Sequence, residues 1–143
     1  MMKKKILWAG IILLGALTAF YCDGGNGNGG DTPETPISDP SFSNHIQPIF
    51  TNNCAQGGCH NSTAQAGLNL TQGVAYSNIV NVASTQVPQS MRVLPGDAAN
   101  SYLVKKIEGT QTVGTRMPQG RNALSSITIQ NIKNWVDRGA KNN

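Results

Sequence analysis

The sequence predicts a small all-α domain that follows an export signal and a flexible linker. Apolar residues in the last two thirds of the chain recur three and four residues apart, as on a helix that buries one face. Runs that alternate apolar and polar residues, as strands do, are few. Removing the first 40 residues, whose composition is not that of a folded domain, leaves about 100 residues. That length is sufficient for one small domain.

Residues 1–22 have the organisation of a signal peptide. Basic residues 3–5 precede an apolar run over residues 6–20, and small and polar residues follow. A membrane span needs about 20 apolar residues, so this run is short for one. Length alone leaves an uncleaved anchor helix as the alternative, and in both cases the folded domain is exported.

Cys22 lies where the apolar run ends and resembles the lipid-modified cysteine of bacterial lipoproteins. Phe20 and Tyr21 are larger than the residues that usually precede such a cysteine, so an unmodified Cys22 stays open. The chain has three cysteines. If Cys54 and Cys59 are both covalently bonded, an unmodified Cys22 would remain as an exposed thiol in an oxidising compartment. We therefore predict lipidation at Cys22, and a periplasmic protein tethered to the membrane.

Residues 23–40 are predicted to be a disordered linker. They are rich in Gly, Asn, Asp, Thr and Pro and contain almost no apolar residues that could offset the entropy cost of ordering. A flexible segment of this length has a root-mean-square reach of roughly 25 Å. The domain, residues 41–143, is then free to meet partners.

The net charge of +4 arises mostly from the export segment. Without the three lysines of residues 3–5, eight Lys and Arg residues face seven Asp and Glu residues. A nearly neutral mature protein gives no reason to expect nucleic acid as a partner.

The first helix of the domain is predicted from the stripe Phe42, Ile46, Ile49 and Phe50. Ser43 or Asn44 is available as its N-cap. Pro48 lacks a backbone donor, so the helix is expected to begin late or to bend there.

Three further helices are predicted. A short one covers residues 74–79, and another follows the turn at Pro95-Gly96-Asp97, with Asp97 or Asn100 as its cap and Gly109 at its end. The last helix opens at Ser125 or Ser126 and ends near Gly139. Its apolar stripe is Leu124, Ile127, Ile132, Trp135 and Val136.

The segment Cys54-Ala55-Gln56-Gly57-Gly58-Cys59-His60 has the residue types and order of a c-type haem attachment site. Each thiol adds to one vinyl group, and the adjoining imidazole becomes the proximal iron ligand. The spacer has four residues instead of the usual two, and Gly57-Gly58 permits the loop to bulge. A small disulfide loop between Cys54 and Cys59 is one alternative. A zinc site is another, although it requires four ligands and only His45 is available as the fourth.

Four segments together resemble a class I cytochrome c, and more narrowly the monohaem domains of bacterial exported proteins. The resemblance covers residues 41–140. Its segments are residues 49–60, residues 94–103 beginning Leu94-Pro95-Gly96-Asp97, Arg116-Met117-Pro118, and residues 124–140.

This resemblance implies that the first and last helices pack around one haem c. By position, Cys54 and Cys59 would form the thioether links, His60 would bind iron on the proximal side and Met117 on the distal side. A residue before proline favours extended geometry, which suits Met117 in a strap. Met91 is the rival ligand, and a gap-filling role for Met117 is the alternative.

With both axial positions filled, the resemblance implies one-electron transfer between redox protein partners and no enzymatic activity. His/Met ligation raises the reduction potential. Arg92, Arg116 and Tyr102 are candidates for contacts to the haem propionates. A five-coordinate haem sensor or peroxidase-like domain, and a disulfide-stapled exported binding module without haem, are the alternative functions.

Overall fold

A computed structural model describes residues 35–143. The predicted signal peptide of residues 1–22, the lipidation site Cys22 and the predicted linker up to residue 34 lie outside the described residues. These assignments stay predictions.

The all-α fold class is confirmed. A π-helical segment, Phe42–Ile46, continues directly into α1, Gln47–Asn53. The other α-helices are α2, Ala75–Ile79, α3, Tyr102–Glu108, and α4, Ser126–Asp137, and a short 3-10 helix covers Gln65–Gly67. Residues 35–143 form no strand beyond two isolated bridges, Val80 with Val93 and Ala83 with Met91. Within this range no helix has the length and apolar character needed to cross a membrane.

The entry into the first helix is wider than an α-helix. The amide of Ile46 donates to the carbonyl of Ser41 at 3.3 Å, five residues back, which is the π-helical pattern. Pro48 follows within the first turn of α1, where its missing N–H costs least. The predicted cap is corrected: Ser41, and neither Ser43 nor Asn44, accepts a hydrogen bond from the amide of Asn44 at 3.3 Å.

Aromatic side chains join the two ends of the domain. The ring of Phe42 lies 5.4 Å from Trp135 and 5.3 Å from Tyr76, measured between centroids. Trp135 is only 1% exposed, and its indole N–H donates to the carbonyl of Lys141 at 2.9 Å. Trp135 is therefore a core residue, as predicted, and the first and last helices pack against each other.

The last residues of the predicted linker are ordered against α4, which corrects the predicted boundary at residue 40. Asn131 accepts a hydrogen bond from the amide of Ile37 at 2.7 Å, and Asn134 donates to the carbonyl of Ile37 at 2.7 Å. Pro40 is buried. Residues 37–40 are thus held along α4, because two side-chain amides satisfy a backbone that has few apolar side chains of its own.

The predicted cap of α3, Asp97 or Asn100, is wrong, whereas the predicted end of α3 and the predicted cap of α4 are confirmed. Ser101 is the N-cap residue of α3, whereas Asp97 accepts from the amide of Asn100 at 3.0 Å and stabilises the turn before the helix. Gly109 ends α3 in the left-handed conformation, with φ +84°, as predicted. Ser125 caps α4 by accepting from the amide of Thr128 at 3.1 Å, also as predicted.

Candidate functional site

One cavity of about 470 Å³ brings together four predicted site residues, Cys54, Cys59, His60 and Met117. Its volume falls in the range of about 300–1,000 Å³ that cofactor and ligand pockets occupy. The first three residues come from the loop after α1, and Met117 comes from the segment between α3 and α4. The fold therefore places a distant methionine in the wall that contains the Cys-Cys-His motif.

Most of the remaining wall is aliphatic and aromatic. It is provided by α1, the chain after the 3-10 helix, α3, and α4 with Leu124 shortly before it. The larger apolar residues of this wall are Phe50, Leu68, Leu70, Leu103, Ile107, Leu124 and Ile132. The charged lining residues are all cations, Arg92, Lys106 and Arg121, and within residues 35–143 no Asp or Glu lines the cavity.

The loop from Cys54 to His60 is fixed by backbone hydrogen bonds. The amides of Cys54 and Ala55 both donate to the carbonyl of Phe50, at 2.9 and 2.8 Å, and end α1. The amide of His60 then donates to the carbonyl of Cys54 at 3.1 Å, which closes the loop. Gly58 has φ +76°, so the longer spacer does require one glycine in the left-handed region.

His60 is held by its own neighbours in the chain. Its Nδ1 lies 3.1 Å from the carbonyl oxygen of Gln65, which makes Nδ1 the protonated nitrogen of a neutral ring. Nε2 is then the nitrogen with a free lone pair. Burial lowers the pKa of His60, hydrogen bonding to the backbone of Gln65 and Leu68 opposes this, and the positive charges of Lys106 and Arg92 lower it further. The imidazole is therefore neutral at pH 7, the form that binds metals.

The two motif cysteines are free thiols with different surroundings. Cys59 is exposed, whereas Cys54 packs partly against the core. Burial, with a smaller contribution from the nearby Cys59, raises the pKa of Cys54 to about 12. Its sulfur is therefore protonated at neutral pH and is a weak nucleophile in the folded chain.

Met117 reaches the cavity from an irregular segment anchored on α3. Its amide donates to the carbonyl of Lys106 at 2.8 Å, and its peptide bond to Pro118 is cis. The hydroxyl of Tyr102 holds the same segment by donating to the carbonyl of Val113 at 2.9 Å. Met91, the rival, is 38% exposed and is not among the lining residues. The structure thus separates the two methionines.

The alternative zinc site, with His45 as its fourth ligand, does not form among the described residues. The amide of Ser41 donates to Nδ1 of His45 at 2.9 Å, so His45 supports the start of the first helix and does not line the cavity. No group of three or more His, Cys, Asp or Glu residues that could hold a metal ion occurs in residues 35–143. This leaves a zinc site without the ligands that it needs.

Of the three predicted propionate candidates, Arg92 and Tyr102 line the cavity and Arg116 does not. Lys106 and Arg121 line it as well, and sequence reasoning did not identify either. The sequence could have indicated that Lys106 lines the cavity beside Tyr102, because the two residues are four apart and share one face of α3.

Comparison with known proteins adds little to this geometry. No protein-family model matches the chain, and no curated protein is similar to it. Among solved structures, Kuenenia stuttgartiensis hydrazine synthase is similar over 70% of this chain, with 24% sequence identity and a TM-score of 0.46. This chain spans only 16% of that protein chain. At this TM-score the likeness supports no conclusion about fold or function.

Proposed function

We propose that this protein is a class I monohaem cytochrome c that transfers single electrons through one covalently bound haem c. The observation that carries the proposal is the convergence of Cys54, Cys59, His60 and Met117 on one largely apolar cavity. These are two thiols, an imidazole and a thioether, from segments far apart in the sequence. This set of donors could attach a porphyrin covalently and supply two ligands to its iron.

The residues present fit that group. Cys54 and Cys59 flank a loop that ends at His60, so both thioether links and the proximal ligand come from one short segment. The hydrogen bond from His60 Nδ1 to the Gln65 carbonyl leaves Nε2 as the nitrogen that would bind the iron, and metal-bound histidines are commonly oriented by such a bond from their other ring nitrogen. The apolar wall formed by Phe50, Leu103 and Ile132 suits the faces of a macrocycle.

When bound, haem c supplies a one-electron iron couple whose potential is raised by His/Met ligation. Met117 would bind the iron together with His60, and no iron position would then be open to a substrate. For that reason we propose a carrier and not an enzyme. The exposed Cys59 side of the cavity provides an edge at which redox protein donors and acceptors can approach.

The proposed location follows from the sequence alone. Export through the segment of residues 1–22 would deliver the chain to the periplasm, where c-type haem is attached, and lipidation at Cys22 would tether it to a membrane. The segments concerned lie outside the described residues.

The test is the optical spectrum of protein exported by a host with haem-attachment machinery. We expect a c-type spectrum, and we expect the reduced protein to resist carbon monoxide because His60 and Met117 occupy both axial positions. A c-type spectrum with full carbon monoxide binding would instead indicate the five-coordinate sensor or peroxidase-like alternative. Colourless protein with a Cys54–Cys59 disulfide would indicate the stapled binding module.

A further inference from the structure

The side chain of Lys106 is largely buried, and no acidic side chain of the described residues pairs with its ammonium group. Lys106 is only 8% exposed. The salt bridges within residues 35–143 join Lys133 to Glu108 and Arg138 to Asp39, and neither involves Lys106. A buried charge is costly unless it is paired and hydrogen-bonded, so this lysine requires an explanation.

The protein satisfies Lys106 only in part. Its Nζ donates to the carbonyl of Val113 at 3.3 Å and lies 5.9 Å from the centroid of the Tyr102 ring. An ammonium has three donors, so two are left for another acceptor. A single long hydrogen bond and a distant aromatic ring do not compensate for the loss of hydration.

Lys106 lines the same cavity as His60 and Met117. Arg92 is the other buried cation of that wall, at 8% exposure, but its guanidinium already donates to the backbone carbonyls of Asn78 and Gly67, at 2.7 and 3.1 Å. No acidic residue of the described chain lines the cavity, so residues 35–143 supply no counter-charge to Lys106 there.

We infer that Lys106 pairs with a carboxylate of the bound ligand, and so positions that ligand in the cavity. This inference rests on the proposed function, in which the ligand is haem c and the carboxylates are its two propionates. Lys106 is then a positioning residue, set in place by Tyr102 and Val113. Lys106 also contacts the segment of the proposed distal ligand, because its backbone carbonyl accepts a hydrogen bond from the amide of Met117.

Gly114 lies close to the ammonium group of Lys106, which indicates that the chain leaves room for this group at a fixed place. A Cβ at this residue would lie 2.9 Å from Lys106 Nζ and 3.1 Å from Gln86 Nε2. Gly114 also has φ +73°. A glycine here lets the segment before Met117 pass beside the ammonium group without displacing it.

The test uses holoprotein whose haem carries ¹³C in the propionate carboxylates, so that redox-induced infrared difference spectra identify their stretching bands. In Lys106→Met, an apolar replacement of similar length that the buried position tolerates, we expect these bands to shift and the reduction potential to fall. The potential falls because an unpaired carboxylate favours the oxidised iron. Lys106→Arg should restore both properties in large part.

Lys105→Met is the matched control, because Lys105 is on the same helix, carries the same charge and does not line the cavity. It should leave the carboxylate bands unchanged. Gly114→Ala is a second probe that displaces the ammonium without removing its charge, and it should shift the same bands.

Coloured Lys106→Met protein with wild-type carboxylate bands would overturn the inference and leave the proposed function intact. A wild-type protein that carries no covalent haem would overturn both.

Discussion

The two sides of the cavity are built in different ways. On the side of His60, the proposed proximal ligand follows shortly after α1, and hydrogen bonds within a few residues of sequence fix the loop. On the side of Met117, the proposed distal ligand is in an irregular segment that is anchored to α3 through the carbonyl of Lys106 and the hydroxyl of Tyr102. The proximal side is thus locally determined, whereas the distal side depends on tertiary packing.

This difference has a physical consequence. Loss of a distal contact should change the ligation and leave the domain folded, because the core between the first helix and α4 does not involve residues 110–118. A disturbance of the proximal loop should instead reach the end of α1 and lower the stability of the fold.

Met117→Ala is the variant with the largest expected effect. The haem should stay attached through Cys54 and Cys59, but the sulfur-to-iron absorption band at the red end of the oxidised spectrum should vanish. The reduction potential should fall, since the thioether ligand raises it. Optical spectroscopy and redox titration measure both properties.

Met91→Ala is the control for that variant, because Met91 is exposed and does not line the cavity. It should retain the red band and the potential of the wild type. If Met117→Ala keeps the band and Met91→Ala loses it, the distal ligand has been assigned to the wrong methionine.

Gly58→Ala tests the locally determined side and should have a moderate effect. Gly58 has φ +76° and no atom within 4 Å of its potential Cβ, so the cost comes from the backbone alone. A left-handed conformation costs an L-residue about 1–2 kcal/mol. Chemical denaturation should show a decrease of about that size in the free energy of unfolding.

Gly57→Ala provides the comparison within the same loop. Gly57 has the same open surroundings but no positive φ, so its free energy of unfolding should change by less than about 0.5 kcal/mol. Equal effects of the two substitutions would mean that the spacer does not depend on a left-handed glycine.

The smallest expected effect concerns the turn before α3, which supports the distal side. Hydrogen bonds from the side chain and the amide of Asn100 lower the pKa of Asp97. A lowered folded pKa stabilises the protein above the unfolded value of about 3.9, and this contribution is lost as the pH falls through the lower folded pKa. Asp97→Asn should therefore be less stable than the wild type near neutral pH, with the difference shrinking in acid.

Denaturation of both proteins across a pH series measures that difference. Placing Asn100→Ala in both backgrounds should reduce the difference without abolishing it, because the side-chain donor is then absent while the backbone amide of residue 100 still donates to Asp97. A difference that grows as the pH falls would contradict the assignment of Asp97.

The contrast between local and tertiary determinants also explains what the sequence could predict. The loop after α1, the left-handed Gly109 and the cap at Ser125 depend on neighbouring residues, and each was predicted from them. The place of Met117 in the cavity wall was expected only from the order of segments in a family. Its spacing from His60 in the sequence carries no information on their distance in space.

Two features escaped prediction because their partners are distant in sequence. Ile37 is ordered by Asn131 and Asn134, and the first of these is 94 residues away. The burial of Lys106 was not predicted, since a lysine in the last turn of a helix is also favourable at the surface. Its exposure of 8% depends on how residues 113–117 fold back over α3.

The central claim is that Cys54 and Cys59 together hold one porphyrin, and mass spectrometry of exported protein tests it most directly. We predict an intact mass that exceeds the polypeptide by one haem, and a proteolytic fragment containing both cysteines and His60 that carries this added mass. A fragment with the mass of the bare peptide, from protein exported through a competent haem-attachment system, would contradict the claim.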